Sequence, residues 1–246
     1  GKVQKGGIHM NTATLYTCTG HLQVKQTQKN ERYPVVVLNR REYLLTPMEL
    51  VLWSRLCWRF RDQEHLWSEY EAAAKEAGLP AREREEEAFR SALRHLMSRG
   101  LIAVGDGECQ VDALYDLVSN LYVSPISDSF WNRLLLTSKL MANGRATPAA
   151  MKSILKKDCT TEQERRILAL SRQTLLSTAE LVKCEECGVL DVSSGEKVLS
   201  ALYYDDTTTC YNIAHLMRES PMRDAVVLAV SNLYLRKQIV FQRGCL

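Results

Sequence analysis

The first half of the chain alternates between strand-like and helix-like patterns of hydrophobic residues. Apolar runs at residues 35–38 and 42–45 flank a polar three-residue turn, which predicts a tight β-hairpin. Thr46 follows as a helix cap, with Pro47 at the first helical position and Glu49 where a capping box places its acid. The pattern therefore predicts that a helix begins directly after the hairpin.

Three helices and a second hairpin are predicted downstream of that cap. The second helix begins near Asp62 and ends at Gly78, because a glycine commonly terminates a helix. The third covers residues 82–98, where apolar positions form one amphipathic stripe. Residues 101–104 and 108–111 are then predicted to pair as strands around a Gly-Asp-Gly turn.

This order of strands, three helices and hairpin is the plan of a winged helix. Residues 36–49 carry a Leu-Thr-x-x-Glu start to the first helix and resemble the beginning of the OmpR/PhoB-type winged-helix effector domain. The resemblance extends to residue 111. It implies that the helix at residues 82–98 is the DNA-recognition helix and that residues 105–107 form the tip of the wing.

The second half of the chain is predicted to be mostly helical. Apolar stripes favour helices throughout residues 111–158. A longer helix is then expected to be capped by Thr160 or Thr161 and to run to about Cys184.

An internal similarity links the two halves. Residues 223–244 align with residues 86–107 without gaps, and six of the 22 positions are identical. The similarity predicts a second winged-helix-like unit at the carboxyl end. Its helix at residues 222–236 is apolar nearly all round, so we expect that helix to be buried or to lie in a dimer interface.

The expected fold class is mostly α with small β elements (α+β). Residues 1–9 precede Met10 and are typical of an expression-tag remnant. The rest of the chain is expected to divide into three parts: an N-terminal winged-helix domain at 10–111, a helical connecting region at 112–188 and the second winged-helix-like unit at 189–246.

Charge and cysteine content limit the function classes. The formal net charge is only +3, so a basic surface for nucleic acid must arise by segregation of charges on folding. Eight cysteines, with no secretory leader and no apolar run of about 20 residues, predict a cytoplasmic protein with mostly free thiols and no membrane attachment. Cys184 and Cys187 form a lone C-x-x-C motif without a second pair, so no metal site is expected.

Catalytic motifs are not found. His21, His65, His95 and His215 lie outside any protease or esterase pattern, and no glycine-rich phosphate loop is present. We therefore expect a protein that is not an enzyme and has no cofactor.

Basic residues on two predicted helices are the candidate DNA contacts. Arg90 and Arg94 are four residues apart and share a helix face, from which they could reach guanine edges or phosphates. The alternative is an ordinary ion pair between Glu86 and Arg90 on a solvated face. The full candidate set is Arg84, Arg90, Arg94, Arg99, Lys152 and Lys156.

The sequence favours a DNA-binding transcription regulator of bacterial type. Its partner would be double-stranded DNA, and one short helix reads few bases, so a homodimer is expected. The C-terminal half would dimerise or sense a protein or small-molecule effector. Two alternatives stay open: a non-catalytic winged-helix scaffold for a protein or peptide, favoured by the neutral charge, and a plasmid replication initiator, favoured by the repeat.

Overall fold

The computed structural model describes residues 12–126 and 161–244, and within them the protein is a mixture of helices and small antiparallel sheets. The predicted α+β class is confirmed at this level. Residues 127–158, most of the predicted helical region at 111–158, lie outside the described residues, as do the tag-like residues 1–9.

The described residues begin with four strands. They are β1 (Ala13–Cys18), β2 (His21–Gln26), β3 (Arg32–Leu38) and β4 (Arg41–Leu44). Strands β2, β3 and β4 form an antiparallel sheet in that order. The predicted hairpin is confirmed, because β3 pairs with β4 across Asn39 and Arg40, which both have the positive φ that tight hairpin turns require.

Three helices follow, as predicted. They are α1 (Pro47–Leu56), α2 (Gln63–Glu76) and α3 (Glu86–Ser98). The capping box at Thr46 and Glu49 forms in both directions. The predicted start of the third helix was wrong: residues Ala81–Arg84 form a separate 3₁₀ turn, and Glu85 is extended, so α3 begins only at Glu86.

The predicted wing was also wrong. Residues 105–107 lie inside one strand, β5 (Ile102–Gly107), which pairs with β1, and residues 108–111 form no strand. The chain instead turns into α4 (Gln110–Ser119), which lies across β5. The glycines serve this close approach, since a Cβ added at Gly105 would meet the backbone nitrogen of Leu117 at 2.2 Å.

The remaining described elements build the C-terminal half. They are β6 (Leu121–Pro125), α5 (Glu162–Gln173), β7 (Leu176–Ser177), α6 (Thr178–Glu186), α7 (Gly195–Leu202), α8 (Ile213–Leu216), a 3₁₀ turn (Met217–Glu219), α9 (Arg223–Leu235) and β8 (Ile239–Arg243). Strand β6 is central, between β7 and β8.

Two helix predictions in this half need correction. Leu121 and Tyr122 belong to strand β6 rather than to the preceding helix. The single helix expected to end near Cys184 is two helices, because Thr174 is extended and β7 pairs with β6 before Ser177 caps α6.

Both segments of the predicted repeat consist of a helix followed by a strand. Their strands have different partners, since β5 pairs with β1 and β8 pairs with β6. The helix α9 has mostly buried residues, in agreement with its apolar sequence.

In the described part of the chain, two hydrophobic clusters form the core, one around α1, α2 and α3 and the other around β6, α5, α6 and α9. Hydrogen bonds join them where β8 passes the first half: Gly20 N–H donates to Phe241 O at 2.7 Å, and Arg243 donates to Ile102 O at 3.0 Å. Among the residues that the structure describes, none of the helices has both the length and the apolar character that a bilayer span requires.

Candidate functional site

The helix α3 presents a polar face to solvent. Its apolar residues Phe89, Ala92, Leu93 and Leu96 are buried against the first core. The residues exposed on the opposite side are Glu86, Glu87, Arg90, Ser91, Arg94, His95 and Ser98. The helix is therefore neither enclosed on every side nor covered by carboxylates alone, so its outer face can contact a partner.

The charges on this face are mixed. Arg90 pairs with Glu86 at 2.5 Å, as the simpler sequence interpretation expected. Arg94 forms no ion pair with any residue in the described ranges. A groove of about 690 Å³ runs beside the helix and is lined by Tyr16, Gln63, Glu86, Glu87, Arg90, Leu93, Arg94 and Met97.

Two other predicted contacts, Arg84 and Arg99, lie away from this exposed face. Arg84 lies partly buried in the 3₁₀ turn before α3. Arg99 is mostly buried, donates to Leu44 O at 2.8 Å and lies over the Tyr43 ring. Lys152 and Lys156 lie outside the described residues. Of the four candidates in the described part of the chain, Arg90 and Arg94 share one exposed surface.

Glu49 ties the end of α3 to the start of α1. Its carboxylate accepts from Thr46 N–H at 2.8 Å and lies 2.6 Å from His95 Nδ1 and 3.5 Å from Arg99. Burial alone would raise the pKa of Glu49, but hydrogen bonds from Thr46 and His95 and the positive charge of Arg99 outweigh it and lower that pKa.

We expect Glu49→Gln to reduce stability at neutral pH and to make it less sensitive to acid. A carboxyl whose pKa is lowered by folding contributes stability above its unfolded pKa of about 4.3, and this contribution is lost as the pH falls. Urea unfolding between pH 7 and pH 3 should therefore show the two proteins converging in acid. Glu71→Gln, at an exposed position of α2, is the charge-matched control. A constant difference at every pH would contradict this assignment.

A second candidate site is an apolar cavity of about 220 Å³ between the two halves. Its deeper wall consists of buried residues from both halves, Cys18, Trp53, Tyr234 and Val240. Its other lining residues are Gly20, His21, Leu22, Leu50, Val51, Ser54, Cys57 and Trp58. Most of these are partly exposed, so the cavity opens to solvent.

The hydroxyl of Tyr234 organises the deeper wall. It accepts a hydrogen bond from Trp58 N–H at 3.0 Å and lies 2.8 Å from Thr17 Oγ1. Its single proton can go to Leu56 O at 3.2 Å or to Cys18 Sγ at 3.4 Å. One side chain of α9 thus fixes the end of β1 and the end of α1.

No family model, curated protein or solved structure matches this chain.

Two thiols lie side by side in this cavity. The Sγ atoms of Cys18 and Cys57 are 3.6 Å apart and share a hydrogen bond. By contrast, the two cysteines of the C-x-x-C motif differ in solvent exposure. Cys184 is buried in the core, and Cys187 is exposed after the end of α6. Within the described ranges, no group of three or more His, Cys, Asp or Glu residues is placed to hold a metal ion.

Sequence reasoning missed the Cys18–Cys57 pair and Tyr234. The two cysteines are 39 residues apart, on a strand and after a helix, and no spacing rule connects them. Cys57 lies among apolar residues in the sequence, and its position there gives no sign of a partner thiol. Only the pairing of β1 with the rest of the fold brings these residues together.

Proposed function

We propose that this protein binds double-stranded DNA through the exposed face of α3 and acts as a transcription regulator. The observation that carries the proposal is that Arg90 and Arg94 lie on one solvent-facing side of a helix whose opposite side is anchored in the core. The preceding helix α2 packs against α3 through the rings of Trp67, Tyr70 and Phe89, as in a helix-turn-helix with a longer connection.

The chemistry of this face supports contact with nucleic acid. A guanidinium can donate two hydrogen bonds to one guanine or hold a phosphate, and Ser91 and Ser98 add hydroxyl groups on the same face. Arg94 is the stronger candidate because Arg90 must first leave Glu86. The wing is not part of the proposal, since Gly105 and Gly107 face α4.

The proposal includes a homodimer in the cytoplasm. One helix of this length reads too few bases for a specific site, so a second copy is needed. Leu228 and Leu235 support a dimer through α9, because they lie two helical turns apart and are 62% and 49% exposed. Exposed leucines at this spacing form an apolar strip that a second copy would cover.

The test is DNA affinity as a function of salt. We expect the wild-type protein to bind a duplex of mixed sequence with an affinity that falls steeply as salt rises. Arg94→Ala should weaken binding several-fold and lower the salt slope by about 1 if Arg94 holds a phosphate. Fluorescence anisotropy of a labelled duplex measures both quantities.

The matched control is Arg172→Ala, which removes an exposed arginine from the far end of α5. It should leave affinity and salt slope unchanged. Absence of binding at low salt, or equal losses in the two variants, would overturn the proposal.

A second candidate function is binding of a protein or peptide. Glu86 and Glu87 line the groove beside α3 together with the two arginines, and such a mixed surface also suits a peptide with both charges. This alternative predicts no salt-dependent DNA binding, so the same titration separates the two.

A further inference from the structure

The paired thiols of Cys18 and Cys57 are already in contact. Cys18 is the last residue of β1, and Cys57 follows directly after α1. Their Sγ atoms are 3.6 Å apart, and a disulfide bond requires about 2.05 Å. A small movement of one loop would therefore close the bond, and the backbone after Cys57 is unusual, since Trp58 has φ +54°.

The surroundings of the two thiols make them chemically unequal. Burial alone would raise the pKa of Cys18, but hydrogen bonds with Cys57, Tyr234 and the backbone of Trp58 outweigh it and lower that pKa. Burial raises the pKa of Cys57, and its hydrogen bond with Cys18 raises it further. The Tyr234 hydroxyl lies 3.4 Å from Cys18 Sγ and can stabilise a thiolate there, so Cys18 is the better nucleophile of the pair.

The cavity determines which reagents reach Cys18. A dry cavity of about 150 Å³ is large enough to bind benzene, and this cavity of about 220 Å³ is larger. Its lining from Leu22, Leu50 and Val51 is apolar and lies at the partly exposed side. An apolar molecule with one reactive polar end would fit, with that end toward the sulfur atoms.

We propose that Cys18 and Cys57 are a redox-active dithiol that an organic hydroperoxide, bound in the apolar cavity, oxidises to a disulfide. This inference does not depend on DNA binding by α3.

The reaction balances in two steps. The Cys18 thiolate attacks the terminal oxygen of the hydroperoxide, the O–O bond breaks, and the organic part leaves as an alcohol after it takes up the thiol proton. Cys18 is now a sulfenic acid. The Cys57 sulfur then attacks the Cys18 sulfur, and the hydroxyl group leaves as water with the proton of Cys57. The two thiols lose two electrons, which reduce the hydroperoxide to alcohol and water.

Oxidation of the two thiols would change the hydrogen bonds at the junction of the two halves. Trp58 follows Cys57, donates its indole N–H to Ile239 O at 3.1 Å and donates its backbone N–H to Tyr234. Drawing Cys57 toward Cys18 must shift these bonds between α1 and the α9–β8 segment. We therefore expect a change in tryptophan fluorescence when the disulfide forms.

The test uses the reduced full chain and one equivalent of cumene hydroperoxide. Free thiols are blocked with N-ethylmaleimide at timed intervals, and digested peptides are identified by mass spectrometry. We expect a Cys18–Cys57 disulfide as the first product, formed before the exposed Cys109, Cys187 and Cys210 react, and reversed by dithiothreitol. Hydrogen peroxide should form the disulfide several-fold more slowly, because it has no apolar part that could bind to the apolar lining of the cavity.

Cys184 is the internal control for burial. Burial and the nearby Glu180 and Glu185 raise its pKa to about 12, and it should stay reduced throughout. Earlier reaction of the exposed thiols, or a Cys18 and Cys57 pair that stays reduced, would overturn the proposal. Equal rates with both peroxides would overturn the choice of an organic oxidant.

Two variants separate the steps. In Cys57→Ser, Cys18 should still be oxidised but should accumulate as a sulfenic acid that dimedone traps. Val51→Phe fills the cavity from its partly exposed side and should slow cumene hydroperoxide while leaving hydrogen peroxide unaffected. If dimedone traps no sulfenic acid in Cys57→Ser, Cys18 is not the nucleophile. If Val51→Phe does not slow the reaction with cumene hydroperoxide, the cavity is not the binding site.

Discussion

Replacing Gly105 by alanine is expected to lower the free energy of unfolding by about 3 kcal/mol or more. The added Cβ would lie 2.2 Å from Leu117 N and 2.5 Å from Ala113 O, and both are backbone atoms of α4. Backbone cannot move aside as a flexible side chain can, so α4 would have to lift from β5. That movement would disturb the buried Tyr115 and Leu117. Urea or thermal unfolding measures the loss.

Gly195→Ala is the matched control for that substitution. Gly195 is the first residue of α7, and an added Cβ there would meet no atom within 4 Å. Its stability should be unchanged or raised by up to about 1 kcal/mol, since alanine restricts the unfolded chain. If Gly105→Ala were as stable as this control, α4 could not lie against β5 as described.

The Gly-Asp-Gly segment illustrates why part of the sequence interpretation failed. Two glycines around an aspartate are typical of a turn, and the apolar residues on either side suggested two paired strands. In the fold, α4 crosses β5 so closely at Gly105 and Gly107 that no side chain would fit there. Strand β5 pairs with β1, which lies near the start of the chain. A local pattern contains no information about such a distant partner.

Sequence patterns predicted the structure correctly where that structure depends on neighbouring residues. The hairpin at Asn39 and Arg40 and the cap at Thr46 depend on neighbouring residues, and both formed as predicted. The split of the helix expected at residues 161–184 had a local signal too. Ser177 and Glu180 form a capping box in the structure, and their spacing was visible in the sequence.

The paired-thiol cavity could not be predicted from sequence. The hydrogen bond between Thr17 and Tyr234 spans 217 positions, and the contact between Cys18 and Cys57 spans 39. The residues are of common core types, so nothing marks them before the chain folds. The arginines of α3 differ, because their helical spacing alone placed Arg90 and Arg94 on one face.

The two candidate sites depend on one packing arrangement. Strand β1 supports α3 through β5 and the first core, and its last residue, Cys18, also lines the cavity. Tyr234 contacts that same strand end from the C-terminal half. A change at Tyr234 should therefore affect both the stability of the junction and the reactivity of the thiols.

Tyr234→Phe is expected to lower the free energy of unfolding by about 2 kcal/mol. The variant keeps the ring and its packing against Phe60 and Phe241, but it removes the oxygen that accepts from Trp58 N–H. That N–H belongs to a residue with φ +54°, so the lost bond also releases a backbone conformation that this residue adopts at a cost. Thr17 retains a second acceptor, Arg59 O at 2.9 Å, which limits the loss.

Tyr70→Phe is the control, because Tyr70 is equally buried and its hydroxyl makes one bond, to Glu83 O at 2.6 Å. Its loss should be about 1 kcal/mol or less. Tyr234→Phe alone should also slow alkylation of Cys18, because removing one of the hydrogen bonds that lower the pKa of Cys18 leaves less thiolate at neutral pH. Denaturant unfolding and timed iodoacetamide labelling measure the two effects. Equal stability of the two variants together with unchanged Cys18 labelling would show that the Tyr234 hydroxyl does not hold this junction.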